Sequence, residues 1–193
     1  MKTLLISAAA VAAVVMPAAA SAQAVPAAVV AVVDVERVAS ECNACRTAIA
    51  ALNAQQTAFN NHKQALAAPL EAEGKSIQAA VDALPKGKKP DAALQARYKA
   101  FQEKQQQGAE ELQRQAEQIQ RNEAYVSQQI QSKLNTIYAP VMQRRGANLL
   151  VDIRATLATT PAVDVTNDVL AALNTALPTI ATTAPAQQQP QGR

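Results

Sequence analysis

The residues of this chain whose types and spacing suggest chemistry are two cysteines and a knot of lysines. Cys42-Asn43-Ala44-Cys45 is a C-x-x-C pair. In an oxidising compartment such a pair forms a local disulfide or a redox couple. A catalytic couple sits in a thioredoxin-like βαβ context, which the flanking sequence does not show. Haem attachment requires a histidine after the second cysteine, and Arg46 stands there instead. Zinc requires more ligands than two cysteines and His62, which lies several helical turns away. A structural role is therefore expected for the pair, either as a short disulfide or as two small buried residues. His62 is expected to be an ordinary helix residue. The basic cluster is Lys86, Lys88 and Lys89, followed by Arg97 and Lys99. Such a cluster keeps a loop soluble, or it attracts acidic partners or an anionic lipid or lipopolysaccharide surface. No nucleophile–base pair, phosphate-binding glycine loop or metal cluster is visible, so neither catalysis nor a cofactor is expected. Nucleic acid is a poor candidate, because aromatic and basic residues do not interleave.

These residues lie on or beside two long helical patterns, spanning residues 43–145. In the first, Ile49, Leu52, Phe59, Leu66, Leu70, Ile77 and Leu84 occupy the a and d positions of one heptad frame. Gln56, Lys63 and Glu73 fall on the same seam. In the second, Leu94, Tyr98, Phe101, Leu112, Ile119 and Val126 share a frame, and Ile130, Leu134, Ile137 and Val141 continue it after a stutter. Between the two lies Pro85-Lys86-Gly87-Lys88-Lys89-Pro90, the expected tip of an antiparallel hairpin. A thin seam with polar interruptions makes an arm rather than a globular core. Pro69, Gly74 and Gly108 are soft points in that arm, Pro140 bends its last turns, and Gly146 is a helix stop. Residues 102–131 hold 11 glutamines, read as a solvated helix face.

Composition agrees. Alanine accounts for much of the 49% hydrophobic content, and the aromatics are three Tyr and two Phe with no Trp. Large core side chains are therefore scarce. Residues 43–145 carry 14 Lys and Arg against 9 Asp and Glu. The arm is thus basic, while the rest of the mature chain is acidic.

The ends have a different character. Met1-Lys2, the apolar run Leu4 to Val15 and the Ala20-Ser21-Ala22 site read as a signal peptide over 1–22, so the mature protein is expected to be soluble and exported. Val29 to Val33 is a buried-strand pattern, and Asp34 is the expected N-cap of the helix after it. Residues 147–153 and 155–159 read as two further strands. Thr166 is the expected cap of a last helix, Asn167 to Ala176. From Pro178 to Arg193 the Thr/Pro/Gln composition predicts disorder. The expected fold is α+β and mostly α. Residues 23–42 and 146–177 form a small three-stranded β-sheet body, with the hairpin as its projection. The sheet's open edges favour self-association.

Three stretches carry a family resemblance. Val30-Ala31-Val32-Val33-Asp34-Val35-Glu36-Arg37-Val38 resembles the first strand and helix start of the Skp/OmpH periplasmic chaperones of Gram-negative bacteria. Asn148-Leu149-Leu150-Val151-Asp152 is similar to the strand that follows their arm. Val163-Asp164-Val165-Thr166-Asn167-Asp168-Val169-Leu170 is similar to the D-[IV]-T-x-x-[VI] opening of their last helix. With the arms between, the resemblance spans about residues 29–177. It implies a homotrimer with a β-body and three helical tentacles, holding unfolded outer-membrane proteins in the enclosed cavity without ATP. The cysteine pair, Pro69 and the Gln/Pro tail depart from the pattern. Two other readings compete: a structural coiled-coil protein of the envelope, and a thiol redox protein using Cys42 and Cys45.

Overall fold

A computed structural model describes residues 25–186. The stretch 1–22, expected as a signal peptide, and the last seven residues of the tail lie outside them. Strand β1 (Val30–Val33) leads into α1 (Val35–Glu41) and α2 (Asn43–Asp82). A turn then leads to α3 (Ala92–Arg144), β2 (Leu149–Asp152) and α4 (Thr166–Ala176). At about 1.5 Å per residue, the 40 residues of α2 and the 53 of α3 give rods roughly 60 and 80 Å long.

Strands β1 and β2 pair in parallel, in the register Val30↔Leu149 to Val33↔Asp152. Parallel neighbours require a crossover connection, and here the entire helical hairpin is that crossover. On the other side of β1, Val32 forms an isolated parallel bridge with Asp164, and the Val165 N–H donates to the Val32 carbonyl at 2.9 Å. The apolar run Ala31–Val33 is thus covered on both sides and buried.

The core sits at the body end of the hairpin. Val126, Ile130, Leu134, Ile137 and Val141 of α3 meet Ala44, Cys45 and Ala48 of α2, Val38 of α1, and Val165, Val169, Leu173 and Leu177 around α4. Toward the tip, Leu66, Leu70, Leu94, Phe101 and Leu112 are only half-buried. Two helices lying side by side have no third element with which to enclose a whole seam, and Ile77 is an exception that is buried there.

Local signals explain the element ends. The Asp34 carboxylate accepts from the Arg37 N–H at 2.8 Å and starts α1; Asp91 does the same for α3 through the Leu94 N–H at 2.8 Å. Gly146, at φ 67°, takes the left-handed conformation that ends α3.

The structure corrects five expectations. Residues 155–159 are not a strand: a single 3-10 turn (Ile153–Ala155) follows β2, and Leu157 is fully exposed. The named sheet therefore has two strands rather than three. Thr166 does not cap α4 with its hydroxyl, which instead accepts from the Asp34 N–H at 2.9 Å and ties α4 to the start of α1. Ile49 is exposed, because Cys45, Ala48 and Leu52 face inward and the next residue turns about 100° away. Tyr98, expected on the seam, is half exposed. Finally, the tail is not free from Pro178: residues 178–186 lie against the arm, with Ile180 on the core.

Asp164 accepts from the Thr166 N–H at 2.8 Å at the entrance to α4. The Thr166 hydroxyl and then its N–H hold the Asp164 carboxyl below its ordinary range. A depressed folded-state value means that this stabilisation is complete above the unfolded value of about 3.9 and is lost as pH falls through the lower folded value. Asp164→Asn is therefore expected to cost about 1 kcal/mol at pH 7. The gap to the parent should close as the pH falls below about 3.9. Thermal melts at several pH values check this; a gap unchanged down to pH 2 would contradict it.

Candidate functional site: the arm and its tip

Cys42 breaks the helix between α1 and α2. Its backbone is extended, and its sulfur accepts from the Cys45 N–H at 3.1 Å, as an N-cap side chain does. The two cysteines are joined in a disulfide and both are fully buried. An external thiolate has no approach to either sulfur, so this site has the character of a staple rather than a redox centre.

The arm's two helices are held together by polar rungs as much as by apolar contact. Nearest the body is Asn122, which is buried. Its amide N–H donates to the Gln55 side-chain oxygen at 2.7 Å, and its own oxygen accepts from Gln118 at 2.8 Å. A single buried amide on such a seam fixes register, because any slip leaves it unpaired. Farther out, His62 Nε2 and Glu111 Oε1 are 2.9 Å apart. Farther still, the Arg97 guanidinium donates two bonds to Glu73, at 2.6 and 3.1 Å, and one to Ser76 at 2.7 Å. The Arg97 hydrogen bonds hold the Glu73 carboxyl below its ordinary value, and Glu73 in turn raises Arg97. None of these pairings is among the sequence expectations, which give His62 as an ordinary helix residue and Arg97 as part of the tip cluster; Asn122 falls on the heptad frame between Ile119 and Val126.

Between the two outer rungs lies a cleft of about 450 Å³, lined by Leu66, Pro69, Leu70 and Gly108 with Glu73, Lys104, Gln107 and Glu111 at its rim. Gly74 lets Phe101 approach the backbone of α2; a Cβ there would stand 3.2 Å from the ring. Gly108 is different, since a Cβ would meet Leu66 Cδ1 at an ordinary 3.9 Å. Gly108→Ala is therefore expected to stabilise the arm by about 1 kcal/mol through helix propensity. Thermal melting checks this, and a lowered midpoint would contradict it.

The structure divides the basic cluster. Lys86, Lys88 and Lys89 are exposed on the turn, and none of them is in an ion pair among the described residues. Arg97 is committed to Glu73, and Lys99 stands 3.9 Å from Glu103 on its own helix. Within this cluster the unpaired positive charge therefore lies at the extreme tip.

Residues 180–184 run along the arm near its base. Gln129 donates to the Ala181 carbonyl at 2.9 Å and accepts from the Ala181 N–H at 3.1 Å. Gln55 donates to the Thr182 carbonyl at 3.0 Å, and Asn122 accepts from the Ala184 N–H at 2.8 Å. Part of the glutamine-rich face thus carries the tail, where the sequence suggested a solvated surface.

Among the described residues no group of three or more metal-ligating side chains occurs, and no helix is long and apolar enough to cross a membrane. Residues 29–173 match the family described as outer membrane protein (OmpH-like). A crystal structure assigned as an OmpH-like outer membrane chaperone from Caulobacter crescentus CB15 superposes with a TM-score of 0.68 at 20% identity. The match covers 86% of this chain and 96% of that one. No match is found among curated proteins.

Proposed function

This chain belongs to the OmpH-like outer membrane protein family, and from that premise we propose that it is a periplasmic chaperone. It holds unfolded outer-membrane proteins, without ATP, in a cavity between the helical arms of a homotrimer. The observation that carries the reading is the pairing of β1 with β2 beneath a two-helix arm that never closes on itself. The chain commits most of its length to projecting surface and little to a core.

The body supplies a reason to associate. Val29, Val30 and Leu149 along the β1–β2 ladder are about half exposed, and Leu157 is fully exposed. Pairing of sheet edges between copies would cover them. A space bounded by arms binds the unfolded state by mass action, which requires no cofactor. Basic arms accelerate encounter with acidic clients.

The test is to dilute a urea-unfolded porin into buffer with the mature protein and follow light scattering. Aggregation should be suppressed near a ratio of about one trimer per client. Scattering that is unchanged would count against a chaperone.

The three tip lysines are proposed to touch an anionic surface, either phospholipid or lipopolysaccharide. At about 1 kcal/mol per lysine, reversing Lys86, Lys88 and Lys89 to glutamate should lower affinity for anionic vesicles by about a hundredfold or more. Sedimentation with vesicles measures it, and equal binding by both proteins would remove the lipid contact.

A further inference from the structure

We propose that Gln55, Asn122 and Gln129 form a site for extended polypeptide backbone, and that residues 180–184 of the same chain occupy it as a displaceable strap. The inference rests on the chaperone reading, since the ligand that replaces the strap is a segment of unfolded client.

The contacts are unusual in one respect: all four go to main-chain groups of the strap. Gln129 grips both the N–H and the carbonyl of Ala181, Gln55 takes the Thr182 carbonyl, and Asn122 takes the Ala184 N–H. The amides are held in orientation before any ligand is considered, because Asn122 donates to Gln55 and accepts from Gln118. Main-chain groups are common to every polypeptide, so recognition of this kind reads no sequence.

The strap's conformation follows from the spacing. Gln129 and Asn122 are two helical turns apart, about 10.5 Å. Three residues, from Ala181 to Ala184, span at most about 10–11 Å. The strap spans most of that reach, with a bend at Thr183. Its side chains alternate accordingly: Ile180, Thr182 and Ala184 are half-buried, while Ala181, Thr183 and Pro185 are exposed. A strand of a membrane β-barrel has the same period of two, with apolar residues at alternate positions. The site therefore suits an extended segment with small or apolar side chains at every second residue.

The strap can leave without dismantling the body. Leu177 is its buried root, and beyond it only Ile180 touches the core. A tethered ligand of this kind competes at a high effective concentration. It keeps the arm's base covered until a client segment takes its place.

Three forms of the mature protein test this: the intact chain, the chain ending at Leu177, and the intact chain with Ala181→Pro and Ala184→Pro. The double proline form removes both strap N–H donors and leaves the core residues unchanged. A fluorescent peptide of residues 178–186 should bind the truncated form and not the intact one. Affinity for urea-unfolded porin should rise about threefold or more in the truncated and proline forms, as the competing state is removed. Peptide that fails to bind the truncated form would overturn the proposal. So would porin affinity that is unchanged or lower in both altered forms, since the strap would then be only a brace. If no form holds porin, the chaperone reading fails, and peptide binding still decides separately whether the amides take an extended chain.

Discussion

Replacing Leu134 by alanine is expected to destabilise the protein by about 3 kcal/mol or more. Leu134 is 1% exposed and lies in the cluster formed by α1, the base of α2, α3 and α4. Removing three carbons there loses their transfer free energy and leaves a cavity that the packed helices close only in part. Proteins of this size are stable by roughly 5–15 kcal/mol, so the loss is a large fraction. Leu66→Ala on the outer arm should cost about 1 kcal/mol, because that side chain is already half in water and leaves no enclosed cavity. Urea unfolding of the two variants measures the contrast. Equal losses would mean that the core extends along the whole hairpin, which would contradict the division into body and arm.

Replacing both Cys42 and Cys45 by alanine is expected to cost about 2 kcal/mol on the loop-entropy account of a very short loop. The bond closes over only two intervening residues, so the loss sits at the low end for native disulfides. The substitution also removes the sulfur that accepts from the Cys45 N–H at the start of α2. The melting midpoint should fall by about 4–8 °C, and client holding at low temperature should survive, because neither sulfur reaches the surface. Melts of the parent and the double variant in non-reducing buffer decide it. Identical midpoints would show that the staple is dispensable. Loss of client holding in a fully folded variant would restore a functional role for the thiols.

The long elements were legible because their signals are repeated. Two sustained heptad patterns, a Pro-Lys-Gly-Lys-Lys-Pro break, Asp34 as a cap and Gly146 as a stop each point the same way. Where a single residue or a short window had to decide, tertiary structure prevailed. Ala155–Thr159 has a strand-like alternation, but it lies beyond the end of β2 with no partner among the described residues, and it remains a loop. Thr166 is a good cap by type, yet its hydroxyl finds the Asp34 N–H, 132 residues away in sequence. Ile49 fits the heptad frame, but Ala48, one residue earlier, lies in the core instead. The tail has the composition of a disordered segment; its order comes from Gln55, Asn122 and Gln129, which no local window could connect to it. The tip lysines were visible as a cluster, but the commitment of Arg97 to Glu73 depends on the hairpin's register.

The measurement that bears most directly on the proposed cage is the mass of the mature protein in solution, alone and with an equimolar unfolded porin. The account predicts three chains in the free species and a complex of three chains with one porin. A monomer that gains no mass when the porin is added would contradict it.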